Sequence, residues 1–250
     1  MARKQPVIVL PLIALAASLG CTSIAFRRYR RGGRTHELVW TAAFVLFALG
    51  AACEVAGTRW GWNPFLARLY YFSGATLVVG YLALGTLYLL APRRVAQTAL
   101  TALLLASGLA GFLVAATPVD PTILPVAGWT ALEKGPALVV LTITLNVGGT
   151  LVVVGGALLS AWRALPRPGA PRQPGWERRL AATLLIALGV LVVASGGTLT
   201  RLGQHSLLYL AMAPGVCLLL AGYLAADWRG WPRLRWPLRR AGLADAERLS

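Results

Sequence analysis

The chain has 250 residues, of which 57% are hydrophobic and 13% charged, and its mean hydropathy is +0.67. In a soluble protein a net charge of +16 would suggest a nucleic-acid partner. Here the basic residues are confined to segments between long apolar stretches, which is typical of a polytopic membrane protein. No nucleic-acid partner is therefore predicted.

Seven apolar stretches predict an all-α protein with seven transmembrane helices. A hydrocarbon core of about 30 Å requires roughly 20 apolar residues as helix. In chain order the predicted spans are Pro6–Phe26, Leu38–Gly57, Leu69–Ala91, Ala99–Ala116, Ala137–Trp162, Leu180–Leu199 and Ser206–Ala226. The transmembrane domain thus covers 1–226, and 227–250 form a basic tail.

The first stretch has an alternative interpretation as a cleaved signal peptide, because Ala16, Ala17 and Cys21 follow an apolar run. Cleavage would leave the arginines between 27 and 34 on the side of the membrane where the other connections carry few basic residues. We therefore interpret this stretch as a membrane helix.

Arginine sets the predicted orientation. Eighteen of the 24 basic residues follow the first, third and fifth spans or lie in the tail. The positive-inside rule places these segments in the cytoplasm and the amino terminus outside. We therefore expect a multi-pass protein of the cell (inner or plasma) membrane, whose basic segments attract anionic lipid headgroups. The preference for arginine over lysine, with abundant alanine, suggests a GC-rich bacterial source.

Two segments outside the spans have their own signals. The tail has Trp228, Trp231 and Trp236 among its arginines, which predicts that it lies on the inner membrane surface. The outer connection Thr117–Pro136 is long, and it either folds over the outer end of the helices or acts as a plain linker.

An internal repeat is indicated by two short matches at one offset of 142 residues. The sequence TRxG occurs at 58–61 and 200–203, and GYLA occurs at 80–83 and 222–225. The offset predicts a 3+1+3 parallel repeat in which the fourth span links two three-helix units. In topology alone this arrangement resembles the SWEET sugar carriers and the microbial rhodopsins, and that resemblance implies no function.

Ionisable and aromatic residues near the outer side form the candidate ligand-binding site, because charges in or beside a membrane span are costly. They are Glu54, Arg59, Arg68, Tyr70, Tyr71, Arg201 and His205. We expect Glu54 to face the bundle and to pair with Arg68 or Arg201. The cluster is either a structural ion pair or a pocket for an anionic or hydroxylated ligand, and a proton-coupled role for Glu54 is a third reading.

Asn146 completes the candidate ligand-binding set, because it lies near the middle of the fifth span. A mid-membrane amide either hydrogen-bonds to a neighbouring helix or contacts a substrate where carriers bind their cargo.

No cofactor, metal site or catalytic residue is predicted. The two lysines, Lys4 and Lys134, lie outside the spans, which excludes a retinal Schiff base. His36 and His205 are at opposite faces, and the three cysteines have no metal-binding spacing. A phosphate-binding glycine-rich lysine motif and a GxSxG motif are both absent from the sequence.

Three functions fit these patterns. The first is binding or transport of a small solute through a polar site in the outer half of the bundle. The second is a membrane sensor or assembly partner that docks a cytoplasmic protein through its arginine-rich loops and tail. The third is a membrane enzyme without a familiar motif, although a non-enzymatic role is favoured.

Overall fold

The structure, a computed structural model, describes residues 8–165, 175–201 and 205–227. Within these ranges it is all-helical and contains no strand, which confirms the predicted class. The seven long helices are α1 Val9–Gly32, α2 Thr35–Trp60, α3 Pro64–Leu90, α4 Arg93–Ala116, α5 Pro136–Ala164, α6 Trp176–Arg201 and α7 His205–Asp227.

Six of these helices, α1 to α6, are long and apolar enough to cross a membrane. The described apolar stretch of α7, Ala211–Ala225, is shorter. Large apolar side chains project outward from the bundle, such as Leu105 on α4 and Leu151 on α5, which are 71% and 68% exposed. These features are compatible with an integral membrane protein, since lipid rather than water would cover such surfaces.

The helix ends follow local signals that hydropathy alone does not reveal. Helix α1 continues through the arginines to Gly32, and Gly33 ends it with φ +62° while its N–H donates to the Tyr29 carbonyl over 2.7 Å. Only a residue without Cβ adopts that conformation readily. Helix α3 begins where the Asn63 side chain accepts from the Leu66 N–H over 2.9 Å, with Pro64 in the first turn.

Six helices pack as a ring in the order α1, α2, α3, α5, α6 and α7, and α7 closes the ring against α1. Helix α4 lies outside this ring, against α3 and α5. Small residues on α1 face the centre, where Ala14, Ala17, Cys21 and Ala25 belong to the same buried cluster as Phe44. Because small side chains let helix backbones approach, α1 packs closely against α2 and α7.

A π-helical segment, Tyr71–Leu77, interrupts the α-helical hydrogen bonding inside α3. At this level α2 and α3 cross closely, since a Cβ on Gly50 would lie 2.9 Å from the Gly74 Cα. The Thr76 hydroxyl donates to the Tyr71 carbonyl over 2.9 Å, five residues earlier. The segment widens the helix by one residue and rotates the side chains that follow it.

The two ends of the bundle differ in composition. We call one the arginine-rich end, where α1, α3 and α5 finish and α2, α4 and α6 begin. The other is the loop end, where the connection from 117 to 135 folds back across the helices. This connection is held by paired backbone groups of Val119 and Leu132, and it contains the short helical turns Leu124–Ala127 and Gly128–Ala131. The connection was predicted either to fold over the ends of the helices or to be a plain linker. The structure shows that it folds over them.

Candidate functional site

Glu54 lies inside the bundle, two turns from the loop end of α2, and only 1% of its surface is exposed. It opens onto a crevice between α1, α2 and α7. The other residues that line this crevice are Leu10, Pro11, Ala14, Ala51 and Met212. The predicted inward orientation of Glu54 is therefore confirmed, and its carboxylate lies beside apolar walls.

The crevice beside Glu54 has a volume of about 10 Å³, which is room for about one water molecule. It is lined by neither Tyr70 nor Tyr71. Tyr70 is nevertheless connected to it, because its hydroxyl lies 3.8 Å from the sulfur of Met212, which forms one wall. Met212 thus joins the crevice beside Glu54 to Tyr70.

Tyr70 belongs to a group of four rings, Trp62, Tyr70, Tyr71 and Trp129, which we call the aromatic layer. Tyr70 stacks on Trp129 with ring centroids 5.1 Å apart and meets the edge of Trp62 at 6.2 Å. Tyr71 lies 6.1 Å from Trp129 at a tilt of 39°. Trp129 comes from the folded loop, so the layer joins that loop to α3 at the loop end.

Trp62 is held between two glycines. A Cβ on Gly57 would lie 2.4 Å from the indole ring, and a Cβ on Gly128 would lie 2.8 Å from it. Gly128 also has φ +59°, which L-residues with a side chain rarely adopt. These two positions let the loop lie flat against the end of α2.

The sole lysine among the described residues, Lys134, extends its ammonium group over the aromatic layer. Its Nζ lies 5.5 Å from the ring centroid of Tyr71 and 5.7 Å from that of Trp129. It also donates to the carbonyl oxygens of Leu132 and Thr130 over 2.9 and 3.4 Å. Burial lowers the pKa of Lys134.

Of the two predicted partners of Glu54, Arg68 is not paired with it, and the side chain of Arg201 lies outside the described residues. Arg68 is directed to the end of α4 instead, where its guanidinium donates to the Thr117 carbonyl over 3.1 Å. This carbonyl follows the last turn of α4, where unpaired acceptors attract a cation. The Nε of Arg68 is buried and has no hydrogen-bond partner among the described residues.

Arg59 does not join the cluster either, since its side chain is exposed at the end of α2. Five residues separate it from Glu54, which corresponds to about 140° around the helix axis. The side chains of Arg201 and His205 lie outside the described residues, as do the proline-rich connection 166–174 and the tail from 228 onward.

Asn146 bridges two helices, as one of its two readings predicted. Its Nδ2 donates to the Ala75 carbonyl in the π-helical segment over 2.9 Å and to the Thr142 carbonyl over 2.8 Å. Thr142 is itself 3.3 Å from Thr76 and 3.4 Å from Tyr71, measured between hydroxyl oxygens. A chain of buried polar contacts therefore runs from the aromatic layer down between α3 and α5.

Sequence reasoning missed a second buried carboxylate, at the arginine-rich end. Glu37 is 5% exposed, and its Oε1 lies 3.9 Å from Arg28 Nη1 and 3.7 Å from His36 Nε2. Arg28 also donates to the Tyr223 carbonyl over 2.9 Å and lies 5.2 Å from the centre of that ring. We call Arg28, His36, Glu37 and Tyr223 the inner network. It ties α1, α2 and α7 together.

A helical stripe in the sequence would have revealed both carboxylates. Glu37, Phe44 and Ala51 are seven residues apart on the buried face of α2, and Phe47 and Glu54 follow the same spacing. Glu37 precedes the predicted span Leu38–Gly57 by one residue, so hydropathy alone does not include it.

Most basic residues at the arginine-rich end face outward. Arg27, Arg30, Arg31, Arg34, Arg93, Arg94, Arg163 and Arg178 are all exposed. Arg28 differs from them, because it turns toward Glu37. This end therefore presents a positively charged surface around a buried ion pair.

No family model matches the sequence, and no match is found among curated proteins or solved structures.

Proposed function

We propose that this protein is an integral membrane protein that binds or transports a small polar solute at the loop end, with Glu54 as the floor of the site and the aromatic layer as its roof. The observation that carries the proposal is the burial of the Glu54 carboxylate beside a crevice with apolar walls. Carboxylates are seldom placed below a membrane interface without a role in binding or coupling.

The roof supports this reading, because one of its rings, Trp129, is brought in by a loop from outside the helices. The connection from 117 to 135 can move without unfolding a long helix, whereas Tyr70 and Tyr71 are part of α3. The crevice has room for about one water molecule while the loop is closed. Entry of a solute therefore requires the loop to move away with Trp129, as active-site lids do.

Glu54→Gln tests the proposal, because glutamine keeps the shape of the side chain and removes its charge. The purified protein is heated in detergent with a panel of neutral polyols, carboxylates and organic cations. At least one solute should raise the unfolding temperature of the wild type and leave that of Glu54→Gln unchanged. The variant itself should still insert and fold. A panel without effect on the wild type, or equal effects on both proteins, would contradict the proposal.

We also propose seven spans, with the arginine-rich end in the cytoplasm of a cell that carries the protein in its plasma membrane. The exposed arginines at this end support that orientation and favour contact with anionic headgroups. A carboxyl-terminal reporter that works only in the cytoplasm should be active, and one that works only outside should be inactive. The reverse result would overturn the orientation.

The 3+1+3 repeat belongs to the same proposal. The ring order supports it, since α4 is the helix left out of the ring. The two halves also share a close crossing, because a Cβ on Gly189 of α6 would lie 2.7 Å from the Gly215 carbonyl oxygen of α7. In an experimental structure, α1–α3 should superpose on α5–α7 with the same chain direction and with Arg59 on Arg201. Superposition only in reverse would reduce the matches to coincidence.

Docking of a cytoplasmic protein is the second candidate, and the outward-facing arginines favour it. A photoreactive residue at position 31 should then crosslink to one protein in living cells, and the same residue at position 65 should not. Crosslinking to lipid alone at position 31 would contradict docking. The arginines would then act only as a topology signal.

A further inference from the structure

The position of Lys134 is unusual for a loop lysine. A long flexible lysine normally extends into water, but this one lies over the faces of two rings. Both distances fall within the range of about 6 Å at which ring faces attract a cation. Two of its three N–H groups are directed to carbonyls of its own loop. The rest of the ammonium faces the two rings.

The rings around this ammonium are held in place independently of it. Trp129 stacks on Tyr70, and the Tyr71 hydroxyl contacts Thr142 over 3.4 Å. Tyr70 in turn meets the edge of Trp62, which is wedged between two glycines. Removal of the lysine should therefore leave the ring faces in position, which makes them a preorganised surface for another cation.

The surroundings favour a cation over an anion. Ring faces carry the negative side of the aromatic quadrupole. Tyr70 also contacts Met212, a wall of the crevice beside the Glu54 carboxylate. Arg68, at the same end of the bundle, is directed to the Thr117 carbonyl. A positively charged group at the ring faces thus meets attractive partners.

We propose that Tyr71 and Trp129 form a binding site for an organic cation, a tertiary or quaternary ammonium group, and that Lys134 occupies this site as a tethered ligand. The proposal deepens the solute site proposed above and rests on it. Because the loop supplies Lys134 and Trp129 together, the loop is closed when the lysine is seated. A solute cation displaces the ammonium from the ring faces. The displaced ammonium then extends into water.

A tethered ligand competes with a free one at an effective concentration in the millimolar range. Lys134→Met keeps most of the apolar stem and removes the charge. Tetramethylammonium chloride is the probe, titrated into the purified full-length protein in detergent, and sodium chloride at the same ionic strength is the reference. Lys134→Met should bind the probe at least about tenfold more tightly than the wild type. Glu133→Gln, an exposed neighbour, should bind as the wild type does.

A second substitution assigns the site to the rings. Trp129→Leu in the Lys134→Met background should abolish probe binding, since the larger of the two rings is then lost. If Lys134→Met does not fold, Lys134→Gln replaces it, with the same expected gain. Equal affinity in wild type and lysine variants, or a response that sodium chloride reproduces, would overturn the proposal.

The same measurements separate this proposal from the broader one. If a polyol or a carboxylate stabilises the wild type through Glu54, and tetramethylammonium binds none of the lysine variants, the solute site stands and the cation assignment is wrong. If no solute acts through Glu54, yet Lys134→Met binds the probe through Trp129, the cation site stands without a role for Glu54.

Discussion

Helix α2 carries a buried carboxylate near each of its ends, and a crevice lies beside only one of the two among the described residues. Glu37, near the start of the helix, faces Arg28 and His36 within 4 Å. Glu54, near the other end, opens onto a crevice whose remaining walls are apolar. The first arrangement joins three helices, whereas the second leaves room beside the carboxylate. Burial alone therefore does not distinguish a structural charge from a candidate binding group.

The neighbours explain the difference. Glu37 lies in the first turn of α2, where the partial positive charge of the helix favours a carboxylate, and Arg28 of α1 lies beside it. Glu54 is farther from either helix end and has small or flexible apolar neighbours, among them Ala14, Ala51 and Met212. We accordingly expect substitutions in the inner network to affect mainly folding, and substitutions around Glu54 to affect mainly solute binding.

The largest expected effect is on stability, from Arg28→Met. Loss of the guanidinium leaves Glu37 buried without its arginine, which should lower the free energy of unfolding by about 2–4 kcal/mol. Unfolding in mixed micelles with increasing dodecyl sulfate measures the change. Arg27→Gln, an exposed neighbour on α1, should change stability by less than about 0.5 kcal/mol.

A double substitution tests whether the effect of Arg28→Met comes from the pair. Arg28→Met with Glu37→Gln should be less destabilised than the sum of the single changes, since the unpaired charge is gone. If the two single effects simply add, Arg28 and Glu37 do not stabilise each other, and the expected role of Glu37 as a structural charge is wrong.

A smaller loss is expected from Gly50→Ala, one turn from Glu54. The added methyl would lie 2.9 Å from the Gly74 Cα, so α2 and α3 must separate at a cost of about 1–3 kcal/mol. Gly148→Ala on α5 is the matched control, because a Cβ there meets nothing within 4 Å. The control should be neutral or more stable by up to about 1 kcal/mol. Equal behaviour of both variants in the same unfolding assay would show that the crossing is loose.

The polar contacts between α3 and α5 should contribute less to stability. Asn146→Leu removes the bond to the Ala75 carbonyl in the π-helical segment and should cost about 0.6–2 kcal/mol. Thr144→Val, on the exposed side of α5, serves as the control. If Asn146→Leu is as stable as the wild type while solute binding is lost, the amide contacts the solute and the alternative reading of this residue holds.

The smallest expected effect is a pH dependence of the folded loop. The Thr122 hydroxyl and N–H donate to one oxygen of Asp120 over 2.6 and 2.8 Å, and these bonds hold the pKa of that carboxyl below its usual range. A lowered pKa in the folded state means that the contribution is complete above about pH 3.9 and is lost as the pH falls further.

Tryptophan fluorescence between pH 6 and pH 2, with Trp129→Phe as the reference, follows the loop through this transition. Asp120→Asn should remove the step. A step that persists in Asp120→Asn would assign it to another group.

Hydropathy and arginine placement were sufficient for the helical class and for most helix positions, because both depend on local composition. They placed the ends of α1 and α3 several residues off, since the caps at Gly33 and Asn63 depend on backbone conformation. The inward orientation of Glu54 also followed from the sequence. Of its two expected partners, Arg68 instead donates to the Thr117 carbonyl at the end of α4, and the Arg201 side chain lies outside the described residues.

Partnerships between helices were decided by the tertiary structure. Each residue turns a helix by about 100°, so the extra residue of the π-helical segment redirects every side chain beyond it. No local pattern marks that segment, which depends on the Gly50 crossing and on Asn146.

The sequence by itself determined that this chain forms long apolar helices with basic connections, because hydrophobic length and charge act within each segment. The tertiary structure alone decided that Trp129 and Lys134 of a distant loop cover Tyr70 and Tyr71, and that Arg28 meets Glu37. These contacts depend on how helices rotate and cross, which is set by close packing between residues far apart in the chain.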